Sequence, residues 1–180
     1  MSYVSRVLSL ARNRQVVKGF EERPVPLEVL ARILECARYA PSAGEAQPWR
    51  FVVVRDPLMK HRIAAAAFNN PIVRSAGAVV VGCARIHTRV SGNGRPSHPV
   101  DLAAATQEMV VAAADVGLAT SWITGFRETA IQELLGVPRD VPLVALLALG
   151  YPDGFSPLPK RRPRSEILAW ETWDGTVEPA

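Results

Sequence analysis

Four short runs of β-favouring residues recur along the chain, WRFVVVR at 49–55, AVVVGCA at 78–84, ATSWI at 119–123 and LVALLAL at 143–149. Helical patterns separate them, and that alternation restricts the fold to a sheet covered by helices, of α/β or α+β type. The spacing predicts helices over 2–12, within PVPLEVLARILECARYAPS, and over 61–67, 100–116 and 128–135. In the second, Leu27, Leu30, Ile33, Leu34 and Ala37 share one face, with Pro26 near the start and Pro41 at the end. The 100–116 helix is poor in charge and is followed by Gly117, the expected C′ residue, so it needs cover on most sides.

Residues 91–99 read as a Gly/Ser/Pro-rich loop, and after Gly150 the chain turns Pro-rich. It nevertheless closes on Ile167, Leu168, Trp170 and Trp173, an apolar tail that must bury against the same or a neighbouring subunit. The 180 residues suit one domain, and 48% hydrophobic content suffices for its core. No apolar run reaches the roughly 20 residues a membrane helix needs. The N-terminus lacks the apolar stretch of a signal peptide, so the expected location is cytoplasmic. Cys36 and Cys83 form no CxxC and read as buried free thiols. His61, His87 and His98 have no ligand spacing, so no metal is expected.

The net charge of +4 raises the possibility of nucleic acid. The cations, however, gather in two clusters, Arg12, Arg14 and Lys18 near the start and Lys160, Arg161, Arg162 and Arg164 near the end. Without zinc-finger, RNP-like or helix-turn-helix patterns, such clusters fit a compact anionic ligand at least as well, and no nucleic-acid partner is expected. No Ser-His-Asp set, acid/base carboxylate pair or reactive CxxC is present, so no catalytic side chain is assigned.

Several segments, in order over most of the chain, resemble the flavin-dependent nitroreductase family. RQVVKGF at 14–20 is similar to that family's Arg-Arg-Ser-x-Arg/Lys-x-Phe phosphate motif, with Gln15 and Val16 departing from it. APSAGEAQPWRF at 40–51 resembles Ala-Pro-Ser-x-Gly-Asn-x-Gln-Pro-Trp-x-Phe, with Glu45 in place of Asn. DLAAATQEMVVAAADVGLATSWITGF resembles the family's dimer helix and flavin-binding strand, and LLGVPRDVPLVALLALGYP the unit that follows. Lys160-Arg161-Arg162-Pro163 and EILAWETW resemble its basic C-terminal motif and arm.

The resemblance implies an α+β fold, a mainly antiparallel central sheet flanked by helices, in a homodimer with exchange of C-terminal arms. Residues 1–180 would form one FMN-binding domain, with 151–180 as the arm. Arg14, Lys160 and Arg162, with Arg161 as competitor, would hold the FMN phosphate; Gln15 and Val16 complete the first motif. Lys18 would face the N1–C2=O end of the flavin, and the N–H groups of Thr124 and Gly125 would lie near N5. Asn69, with Asn70 beside it, is the candidate for the pyrimidine edge; an ordinary loop role is the alternative. Pro41, Ser42 and Ala43 would line the flavin from the partner subunit, with Glu45 a further cofactor-binding candidate on the same loop. Glu45 has three open settings: beside an arginine, toward substrate, or outward.

The flavin would carry the chemistry. The implied activity is ping-pong transfer from NAD(P)H to a nitroaromatic, quinone or similar small electrophile. The alternatives are a specialised flavin-dependent dehydrogenase or flavin-modifying enzyme of a biosynthetic pathway, and a non-catalytic flavin-binding protein.

Overall fold

The computed structural model describes residues 6–14, 17–85, 92, 94–154 and 160–175. Four strands, β1 (Trp49–Val54), β2 (Ala78–Ala84), β3 (Ala119–Ile123) and β4 (Leu143–Gly150), form one sheet in the order β1-β2-β4-β3. Every pairing is antiparallel, with Val52 opposite Val81, Val80 opposite Leu147, and Trp122 opposite Leu147 from the other side. The fold is therefore α+β, an antiparallel sheet flanked by helices.

The two central strands are apolar without alternation because both their faces are covered. In β4, Leu146 and Ala148 point to one face, and Leu147 and Leu149 to the other. On the first face lie α3 (Pro57–Ala66), α4 (Pro71–Ser75) and α6 (Glu128–Leu135), contributing Ile63, Val73 and Ile131. On the second lie α2 (Leu27–Cys36) and α5 (His98–Asp115), contributing Leu30, Ile33, Met109 and Val110. A Cβ at Gly82 would come within 2.7 Å of Leu102 Cδ2, so glycine lets α5 rest directly on β2. A short N-terminal helix, α1 (Arg6–Asn13), ties to the end of α5 through Arg6 and Asp115 at 2.7 Å.

The helix boundaries depart from the sequence reading where capping decides them. The third helix begins at Pro57 rather than 61, because Asp56 accepts the Met59 N–H at 2.7 Å and Pro57 suits the first turn. α5 begins at His98 rather than 100, with Pro99 in its first turn, and its chain exit uses Gly117 at φ +76°. α4 was not anticipated; five residues are too few to show a helical period. Leu27 is 61% exposed, because as the first residue of α2 it lies outside the stripe that Leu30, Ile33 and Ala37 bury.

Residues 160–174 are exposed and contain one 3-10 turn, Arg164–Glu166. Trp173 is 93% exposed, so the apolar tail does not bury against its own chain. Among the described residues no helix is long and apolar enough to cross a membrane.

Candidate functional site

Two loops at the sheet carry five of the anticipated residues, Asn69 on one and Pro41, Ser42, Ala43 and Glu45 on the other. After α3, backbone bonds turn the chain sharply: the Ala67 N–H donates to Ile63 O at 2.8 Å and the Asn70 N–H to Ala64 O at 3.1 Å. Phe68 and Asn69 take φ of +57° and +58°, the left-handed region that asparagine tolerates better than most side chains. Asn70 is committed to capping α4, its Oδ1 accepting the Ile72 N–H at 2.9 Å. Asn69 is left exposed, which separates the two asparagines.

The same corner gathers other candidates. A Cβ on Gly125 would stand 4.0 Å from Phe68 Cε2, so Thr124 and Gly125, both exposed, lie beside the Phe68–Asn69 turn. The Arg127 N–H holds this exit from β3 against α3 by donating to Ala66 O at 2.9 Å. On the far end of α4, Ser75 Oγ accepts the Phe20 N–H at 3.2 Å, which brings the chain segment of Lys18 and Gly19 to the same helix. Lys18 is exposed and Arg14 half-buried. Gln15 and Val16 lie outside the described residues.

Pro41, Ser42, Ala43 and Glu45 belong to the other face, on the loop that leaves α2 toward β1. Here Gly44, Glu45 and Gln47 have φ of +58°, +54° and +43°. Ser42 Oγ accepts the Gln47 N–H at 3.0 Å, and Asp101 Oδ1, from the first turn of α5, accepts the Ala43 N–H at 2.9 Å. The sequence reading passed over Asp101. Its signal was a carboxylate inside an otherwise charge-poor helix, and it is 5% exposed.

Lys160, Arg161 and Arg162 are exposed. Among the described residues, no ion pair engages Arg14, Lys18, Lys160 or Arg162. A groove of about 1110 Å³ contains none of the anticipated residues and is lined by Arg23, Arg55, Asp56, Lys60 and Arg74 among others. Burial lowers the Lys60 ammonium below its ordinary pKa, and its Nζ donates to Ala76 O. Burial pushes the Cys83 thiol up to about 11, while Cys36 is only half-buried rather than buried as anticipated, because it closes α2 away from the packed stripe.

The nitroreductase-family model matches residues 11–85 and 59–151, a span that takes in both loops. An NADH dehydrogenase of Thermus thermophilus is 32% identical over 191 residues, covering 89% of this chain and 93% of that one. A 5,6-dimethylbenzimidazole synthase of Rhodospirillum rubrum is 28% identical over 185 residues, covering 88% and 86%. Among solved structures, a nitroreductase family protein of Clostridium difficile 630 superposes with a TM-score of 0.82 at 27% identity, covering 96% and 99%. With the family model matching most of the chain and a relative 32% identical over nearly the whole of both chains, this protein belongs to the nitroreductase family and is an oxidoreductase of its flavin-dependent type.

Proposed function

We propose that the chain binds FMN between two copies of itself and passes electrons from NAD(P)H to a small electrophile such as a nitroaromatic or a quinone. One observation carries the reading. The two groups of candidate residues lie on loops that belong to opposite faces of a single sheet, Asn69 beyond α3 and Pro41 to Glu45 beyond α2. A site that uses both is completed by a second copy.

The residues suit the cofactor. FMN carries a phosphate of charge near −2 and needs cations that are not already paired. Arg14, Lys160 and Arg162 meet that requirement, with Arg161 equally exposed. Gly125 has no neighbour closer than 4.0 Å to its missing Cβ, which leaves its backbone open to close approach. When bound, FMN supplies hydride acceptance and donation. The protein's part is to hold the phosphate, to set positive charge near the ring with Lys18, and to present the Thr124 and Gly125 N–H groups. In this reading 1–180 is one FMN-binding unit and 151–180 is an arm laid on the partner, covering Trp170 and Trp173.

The decisive experiment is the absorption spectrum of the purified protein and its anaerobic bleaching by NADH or NADPH. FMN is expected as the released cofactor. Arg14→Ala and Arg162→Ala should each weaken FMN binding by about 1.5–3 kcal/mol, the worth of a hydrogen bond to a charged group. Colourless protein that takes up no added FMN at micromolar concentration would sink the reading and leave a non-catalytic module.

The similarity to the Rhodospirillum rubrum synthase, nearly as extensive as that to the dehydrogenase, supports a second reading. There the chain is a specialised flavin-dependent dehydrogenase or flavin-modifying enzyme. Bound flavin that neither NADH nor NADPH bleaches would favour it.

A further inference from the structure

Asp101 is a buried carboxylate that the redox reading leaves unused. It sits in the first turn of α5, is 5% exposed, and its side chain has one partner among the described residues: Oδ1 accepts the Ala43 N–H at 2.9 Å across 58 residues of sequence. Its Oδ2 is buried and has no hydrogen-bond partner. A half-satisfied buried carboxylate costs folding free energy, so α5 without this bond would be better served by an apolar residue. What it holds is, among the described residues, the one turn with three positive-φ residues, Gly44, Glu45 and Gln47, two of them with side chains that disfavour the region. Within the turn the only other side-chain brace is Ser42 Oγ on the Gln47 N–H.

We propose that Asp101 is a positioning residue: by fixing the Ala43 N–H it sets the 42–47 turn in the conformation that contacts the flavin. This rests on the reading that Pro41, Ser42, Ala43 and Glu45 form part of the FMN site. Asp101 itself touches no cofactor. It acts through the turn, and α5 thereby becomes the ruler against which one wall of the site is placed.

The test is FMN titration of the full-length chain carrying Asp101→Ala, Asp101→Asn, Ala43→Pro, and Leu102→Ala as a control. Asn keeps an oxygen that accepts the Ala43 N–H; Ala keeps nothing. Pro at 43 removes the N–H donor and leaves α5 intact, so it reads the same bond from its other end should Asp101→Ala fail to fold. Leu102→Ala loosens the seat of α5 on Gly82 without touching the turn.

Asp101→Ala and Ala43→Pro should each weaken FMN binding by about tenfold or more, the lower end of a hydrogen bond to a charged group. Asp101→Asn should stay within about threefold of the parent, since it preserves the acceptor. The double variant Ala43→Pro/Asp101→Ala should bind no more weakly than either single, because both remove one bond. Leu102→Ala should lower the thermal midpoint and leave FMN affinity unchanged.

Three results would overturn the proposal: Asp101→Ala and Ala43→Pro binding FMN like the parent while Arg14→Ala weakens it; Asp101→Asn as weak as Asp101→Ala; or Leu102→Ala as weak as either. If Arg14→Ala also leaves FMN affinity untouched, the flavin lies elsewhere on the chain, and the role of Asp101 falls with that placement; a chain that takes up no FMN at all fails the FMN reading itself.

Discussion

Residues 67–70 and 42–47 both carry the backbone through the left-handed region, on loops from opposite faces of the sheet, but they are braced differently. The 67–70 turn is held by main-chain bonds to the end of α3, with Ala64 and Ala67 both accepting from the Asn70 N–H, at 3.1 and 3.2 Å. The 42–47 turn has main-chain bonds too, the Glu45 N–H donating to Ser42 O at 3.0 Å and the Ala46 N–H to Ala43 O at 3.4 Å, but it adds two side-chain braces, Ser42 and the distant Asp101. One turn is a by-product of a helix ending, and it will form wherever α3 forms. The other gains its Asp101 brace only after α5 has docked on the sheet, so part of its geometry depends on tertiary structure. In the proposed site these two turns face a single flavin from different copies, one fixed locally and one braced from afar as well.

The largest effect expected concerns whether the turns meet at all. Removing the residues after Ser165 takes away Trp170 and Trp173, the exposed apolar end of the chain. If that end covers a partner, as part of an interface of more than about 2,000 Å², the truncated chain should lose both its dimer and its flavin. Sedimentation of the truncated chain decides it. A truncated dimer as stable as the parent breaks the pairing of the two turns, and so does a flavin-loaded monomer of the intact chain at low micromolar concentration.

Next come the foundations under each turn. Leu146 and Leu147 are adjacent in β4, at 0% and 1% exposure, and face the 67–70 side and the 42–47 side respectively. Leu146→Ala and Leu147→Ala should each cost about 2–5 kcal/mol in urea unfolding. Similar losses would mean that both faces are packed equally well. A smaller loss for Leu147→Ala would locate a softer layer under the distant-braced turn.

A third change probes the locally braced turn alone. Asn70 caps α4 through Ile72 and Val73. Asn70→Ala should destabilise by about 0.5–2 kcal/mol, as for other lost N-caps. It should also weaken FMN binding, because the cap fixes the residue that follows Asn69. Full stability in the Ala variant would show that the main-chain bonds suffice.

The sequence made much of this legible, and the failures share a cause. The strands over 78–84 and 119–123 and the helix over 128–135 have the predicted limits, because apolar runs and helical period are local signals. The antiparallel sheet came from the family motifs rather than from the strands themselves, since periodicity carries no pairing direction. α4 escaped because its signal is a cap and a proline, Asn70-Pro71, instead of a period. Asp101 escaped because its partner is 58 residues away, and no local pattern marks a bond of that kind. The candidate residues on loops were readable only as motif members. That the turn carrying Asn69 sits beside Gly125 through Phe68, and on the other face from Pro41 to Glu45, is a fact of packing.

The smallest effect expected is at Glu45, and it bears on why this position departs from the family's asparagine. Glu45 has φ +54°, and the left-handed region costs most L-residues about 1–2 kcal/mol, whereas asparagine visits it routinely. Asn69, at φ +58° in the other turn, already has the residue that suits its backbone. The two positions therefore offer a reciprocal exchange. Glu45→Asn should stabilise the chain by several tenths to about 1 kcal/mol, and Asn69→Glu should destabilise it by a similar amount. Both are read as shifts of the urea midpoint at constant slope. The exchange compares strain under two braces. If Glu45→Asn gains nothing while Asn69→Glu loses the full amount, the Glu45 side chain makes a contact that offsets its backbone. Such a contact would favour a cation or the active site over open solvent. A gain at 45 equal to the loss at 69 would mean that the carboxylate contributes nothing to stability, and that its charge is retained for some other purpose.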